Sequence, residues 1–175
     1  MTIFRQLLAA CAAGLFISGA QAAPPEKAAA PGLPPVTVYV PGLCLACIDW
    51  AEHLRQNGFA KVTVKEVADM PALKKKLKVP ADAESVHTSV VAGYFIEGHV
   101  PAEDIIELLK EKPKARGLAV PGLPAGAPGR EMSQPTCERG CTILDSQSAD
   151  REIRREMYNT VLIGKDGKES VWARH

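Results

Sequence analysis

Apolar and polar positions change period several times along this chain, and each change marks an element. Val36, Val38 and Val40 alternate with Thr37 and Tyr39, the two-residue period of a strand, until Pro41-Gly42 breaks it. Beyond it, Cys47, Trp50, Ala51 and Leu54 fall on one helical face that runs to Asn57. Val62 and Val64, set against Lys61, Thr63 and Lys65, predict a second strand. Asp69 is placed to cap a short helix with Leu73 and Leu77 on one face, stopped by Pro80. Thr88 to Ile96 predicts a third strand region, a hairpin turning near Gly93. Pro101 opens another helix at its preferred first position, with Glu103 and Asp104 in the first turn. Ile105, Leu108 and Leu109 are its expected buried stripe, and Pro113 ends it.

The regular pattern then lapses. Pro121, Gly122, Pro124, Gly126, Pro128, Gly129 and Pro135 predict a Gly/Pro-rich loop over 117–136. An insertion over 137–157 follows, with a short charged helix from Asp150 to Met157. The chain closes on a predicted hairpin, Thr160 to Ile163 and Ser170 to Trp172, joined through Asp166-Gly167. The order βαβαββα, with a Cys-x-x-Cys after the first strand, is that of a thioredoxin-like α/β domain. It implies parallel strands in the first half and an antiparallel pair in the second.

The first 22 residues read as a secretory signal peptide: Arg5 in a short n-region, an apolar run from Leu7 to Ile17, and Ala20-Gln21-Ala22 as the cleavage site. The apolar run is too short to span a bilayer. Leu8-Ala9-Ala10-Cys11 resembles a lipoprotein box, but the stretch before it is too short for one. Residues 23–35 are an Ala/Pro-rich leader expected to be disordered, and 36–175 a single domain. The expected compartment is the periplasm. A formal charge of +1 with both signs mixed gives no sign of nucleic acid or an anionic membrane as partner.

Export changes the meaning of the cysteines. Cleavage after Ala22 removes Cys11 and leaves Cys44, Cys47, Cys137 and Cys141, an even number in an oxidising compartment. Cys44 and Cys47 sit at a helix N-terminus, where the dipole and unpaired N–H groups favour a thiolate. Three readings follow: a structural disulfide, a thiol–disulfide oxidoreductase with Cys44 as nucleophile and Cys47 as resolving thiol, or a metal site. Thioredoxin-type oxidoreductases place a proline before the third strand, facing the cysteine pair. Here that place reads Val86-His87-Thr88. A histidine facing two thiols suits a metal better than a peptide, and Cu(I) accepts thiolate and imidazole at low coordination number. Zn²⁺ takes the same donors but prefers a fourth.

Cys44, Cys47 and His87 are therefore the candidate metal ligands. His99, between the last strand of the motif and Pro101, is a weaker candidate, either supporting the site or bonded to backbone in a turn. Met132 offers a thioether at the end of the Gly/Pro-rich loop. Cys137 and Cys141, three residues apart, form either a tight disulfide, the default outside the cytoplasm, or a chelating pair. His53 is expected to face solvent, and His175 to be uninvolved.

These stretches resemble a known family. Cys44 to Leu54, Asn57-Gly58-Phe59, His87-Thr88-Ser89-Val90-Val91, Gly93 to Ile105 and Gly117 to Gly122 are similar to the periplasmic metal-binding family called domain of unknown function 411. The resemblance covers about Val36 to Met132 and implies a thioredoxin-like fold and an association with copper resistance. The family pattern has Cys-x-Cys-Cys after the first strand, where this chain has Ala46 in the middle. It commonly has Cys before the His-Thr pair, here Val86, and methionines near Leu123 and Arg130. The resemblance thus implies a copper-binding protein that sequesters or transfers Cu(I), to another periplasmic copper protein among others, with a site smaller than the family's.

Overall fold

The computed structural model describes residues 32–131 and 155–175. They form a mixed α/β fold in which one seven-stranded sheet, ordered β2-β1-β3-β4-β5-β6-β7, is flanked by three helices. The elements are β1 (Val36–Val40), α1 (Leu45–Gln56), β2 (Val62–Glu66), α2 (Met70–Leu77), β3 (Thr88–Val91), β4 (Tyr94–Glu97), α3 (Ala102–Glu111), β5 (Ala115–Ala119), β6 (Asn159–Gly164) and β7 (Glu169–Arg174). A 3₁₀ turn, Ala81–Ala83, lies between α2 and β3. Through α3 the element order is the one the apolar pattern predicts. None of the helices described is long and apolar enough to cross a membrane.

The central strands β4 and β5 alternate their side chains between two cores. Val36, Val38 and Val40 join Ile96 and Leu118 beneath Trp50 and Leu54 of α1 and Ile105 and Leu108 of α3. Their strand neighbours Phe95 and Ala119 point the other way, packing with Val79, Ala83 and Ile163 and with the half-buried Leu77 of α2.

Two elements depart from the sequence pattern. Ala115–Ala119 is a strand, so the Gly/Pro-rich segment expected from 117 begins only after Ala119. It pairs parallel to β4 (Phe95 with Gly117, Glu97 with Ala119), and this register, not β propensity, makes Ala-Arg-Gly-Leu-Ala a strand. On α2 the buried residues are Met70 and Lys74, whereas Leu73 and Leu77 are half-buried. Lys74 is inside because its ammonium meets the wholly buried Glu97 carboxylate. The C-terminal hairpin is present: β6 and β7 pair antiparallel and extend the sheet from β5.

Register decides where the functional loops emerge. Tyr39 near the end of β1 pairs with Thr88 at the start of β3, Thr88 with Glu97 at the end of β4, and Glu97 with Ala119 at the end of β5. The cysteine loop, the residue before β3, the residues after β4 and the Gly/Pro-rich segment therefore all leave the same end of the sheet.

Candidate metal site

Cys44 opens α1 as its N-cap: the backbone is extended there, and Sγ accepts the N–H of Cys47 at 3.3 Å. A residue with a side-chain acceptor suits that position because the first N–H groups of a helix have no partner within it. The two cysteines are joined as a disulfide with a Cα–Cα distance of 5.3 Å. Cys47 is fully buried and Cys44 is 8% exposed, so the sulfur at the cap is the one nearer solvent. Ligation of a soft metal by these sulfurs requires the bridge to be reduced first.

Trp50, one turn beyond Cys47, is fully buried, and its Nε1–H donates to Val100 O at 2.8 Å. Its ring lies 4.5 Å from that of His87, which the chain presents immediately before β3. His87 is fully buried, and neither ring nitrogen has a hydrogen-bond partner. Leaving a buried polar atom unpaired costs on the order of 1–3 kcal/mol. Burial holds the His87 pKa well below its ordinary value of 6.5, helped by His99 and Lys74, so the ring is neutral and one nitrogen carries a lone pair.

His99 completes the group. Its ring stands edge-on to that of His87 with centroids 4.9 Å apart, and it too is fully buried. Its Nδ1 lies 2.8 Å from Pro128 O. A carbonyl only accepts, so Nδ1 carries the hydrogen and Nε2 keeps the lone pair; Nε2 has no partner. Fixing the far nitrogen of an imidazole on a backbone carbonyl is how proteins commonly orient a metal-binding histidine. Burial, with the Arg130 charge adding to it, lowers the His99 pKa to about 4 against the opposing pull of Pro128.

The Gly/Pro-rich segment is the cover. Between Pro124 and Arg130 it folds on its own turns, Ala127 N–H donating to Pro124 O and Arg130 N–H to Ala127 O. Gly129, at φ +79°, rests against the first turn of α1. The contacts thus run from Ala46, between the two cysteines, through Gly129 and Pro128 to His99, then His87, then Trp50 and back to α1.

Among the described residues, no three His, Cys, Asp or Glu side chains already converge as a metal-binding group. The sulfurs are engaged with each other, and what stands ready is the pair of imidazoles. The unpartnered nitrogens fit a borderline metal such as copper or zinc, and reduction would add two soft thiolates on the neighbouring helix turn.

The other histidines have structural employment. His53, expected to face solvent, is half-buried, and its Nε2 accepts the N–H of Ala102 at 3.1 Å, capping α3 from a distant helix. His175, expected to be uninvolved, has its Nε2 2.9 Å from Asp104 Oδ2 and stacks on Tyr158. The expectations for Met132, Cys137 and Cys141, the signal peptide and most of the 150–157 helix lie outside the described residues.

Sequence reading missed Trp50 as a wall of the site, Pro128 and Gly129 as its cover, and the Lys74–Glu97 pair behind it. Glu97 also accepts from Ser85 N–H at 2.7 Å and Thr88 Oγ1–H at 2.6 Å, tying the strands to the segment that carries His87. The available signal was Glu97, an acidic residue at the end of the apolar run Tyr94-Phe95-Ile96; Lys74, the first of three consecutive lysines, carried none.

Residues 83–130, which run from the approach to His87 to the end of the cover, match the family model described as "Protein of unknown function, DUF411". No curated protein sequence matches significantly. Two solved structures do, "Copper resistance protein copG- Form 1" and its Form 2. The first is 38% identical with a TM-score of 0.66, the second 37% identical with a TM-score of 0.67. Each alignment covers 82% of this chain and 98% of the other. At that identity over nearly the whole of a solved relative, the chain belongs to the DUF411 copper-resistance family.

Proposed function

We propose that this protein binds Cu(I) in the periplasm, after export through a cleaved signal peptide, and sequesters it or hands it on in copper resistance. The observation that carries the reading is His87: fully buried, neutral, and without a partner at either nitrogen. Likeness to structures named as copper resistance proteins supports the choice of metal. We read the fold as thioredoxin-like, with the site at the usual end of the sheet.

In the reduced protein, Cys44 and Cys47 supply soft thiolates and His87 a borderline imidazole, three donors that suit one trigonal Cu(I). His99, held by Pro128, supplies a further lone pair. The capping position of Cys44 and the α1 dipole favour its thiolate form.

The test is an anaerobic titration of the reduced protein with Cu(I) against a competing chelator. About one ion per chain is expected. Absence of binding sinks the reading, as does equal binding by the Cys44→Ser, Cys47→Ser double variant. An insulin-reduction assay run alongside is expected to stay at background; activity well above it would favour thiol–disulfide exchange by Cys44 and Cys47.

A further inference from the structure

We propose that His87 and His99 form a Cu(I) seat of their own, able to hold the ion while Cys44 and Cys47 remain closed as a disulfide. The inference rests on the copper-binding reading and adds a second coordination state to it.

Three buried nitrogens carry the argument: Nδ1 and Nε2 of His87, and Nε2 of His99. Nothing in the fold uses them, since His87 makes no hydrogen bond and His99 spends only its Nδ1, on Pro128. A leucine or phenylalanine would fill either space without stranding a polar atom. Two imidazoles set edge-on with centroids 4.9 Å apart, each with a lone pair to give, instead offer two neighbouring nitrogen donors to a single ion.

The disulfide does not dismantle this pair. His99 is positioned by the Gly/Pro-rich segment and by Gly98, where a Cβ would come 2.5 Å from Val120 O, so that only glycine allows the turn that delivers it. His87 is positioned by Trp50 and by the start of β3. Closing the bridge takes away the sulfur donors and leaves both rings in place. Their chemistry selects the ion: d¹⁰ Cu(I) accepts two nitrogen donors, whereas Zn²⁺ wants four ligands and Cu(II) a tetragonal set. Without thiolate charge, and with the Arg130 guanidinium beside His99, the oxidised seat holds Cu(I) less tightly than the reduced site.

The test uses the disulfide-closed chain with any free thiols alkylated first. It is titrated anaerobically with Cu(I) from its bicinchoninate complex, ascorbate keeping the metal reduced and the bridge intact. One ion per chain is expected, lost in His87→Leu and in His99→Leu. Because either variant could fail to fold, X-ray absorption at the copper edge of the loaded wild-type protein provides the second readout. Two nitrogen neighbours and no sulfur support the seat; sulfur neighbours, or binding undiminished in folded variants, overturn it. The reduced protein is titrated in parallel. Binding there but not in the oxidised chain overturns this inference alone, and binding in neither overturns the copper reading as well.

Discussion

Gly129 lies so close to Ala46 that a Cβ on it would come 2.7 Å from Ala46 O, and equally near Trp50 N. Its φ of +79° is a second barrier to any side chain. Gly129→Ala is therefore expected to cost about 2–4 kcal/mol of stability, from strain and displacement of the cover together. Gly122→Ala is the control: also left-handed at φ +70° but with nothing within 4 Å, it should lose only about 1 kcal/mol. Denaturant midpoints of the two variants separate close approach from backbone strain. Equal losses would show that the cover does not press on α1.

The pair formed by Lys74 and Glu97 predicts an asymmetric mutational response. Lys74→Met leaves a buried carboxylate without its cation and is expected to cost about 3–5 kcal/mol. Lys74→Met combined with Glu97→Leu should recover much of that loss, though Ser85 N–H and Thr88 Oγ1–H then lose their acceptor. Chemical denaturation of the single and double variants decides it. A double variant no more stable than Lys74→Met would rule out stranded charge as the main cost.

The buried imidazoles make the metal-free fold acid-labile. His99 titrates at about 4 when folded and near 6.5 when unfolded, and His87 is depressed in the same direction. Between those values the unfolded chain binds more protons, so their contribution is whole above about pH 7 and is lost as pH falls towards 4. For His99 alone the loss is on the order of 3 kcal/mol. Urea midpoints between pH 7.5 and 4 should fall more steeply in wild type than in His99→Leu. Parallel curves would show that His99 is not held neutral.

A missing bridge can be restored at one position. Ala46 is fully buried between the two cysteines, where the resemblance noted in the sequence implies a third cysteine in the family pattern. Bridging thiolates hold several Cu(I) ions together, so Ala46→Cys should raise the copper-to-protein ratio of the reduced protein above that of wild type. An unchanged ratio in a folded variant would mean that the lost thiol is not what limits the site.

Much of the scaffold is legible in local periodicity. Cys47, Trp50, Ala51 and Leu54 announce α1, and Ile105 and Leu108 announce α3, because each segment buries one stripe. Asp69 caps α2 as its position predicts, accepting from Ala72 N–H at 2.9 Å. What was hidden depends on distant partners. β5 exists through its register with β4, and Lys74 is buried because Glu97 is there to meet it. His53 and His175 bond to groups on α3, 49 and 71 residues away in sequence. His87 and His99 stood out as candidates in the sequence, but only the β3–β4 pairing shows that their rings meet.

The Cys47 amide turns the start of α1 into a gauge of its own chemistry. Its proton is aimed at Cys44 Sγ, so whatever changes the electron density on that sulfur changes the shielding of the proton. A thiolate is the stronger acceptor, a disulfide sulfur the weaker, and a sulfur that has given a lone pair to copper falls between them. One backbone resonance, followed by ¹⁵N-edited NMR without any attached label, would then distinguish oxidised, reduced and loaded protein in a single titration.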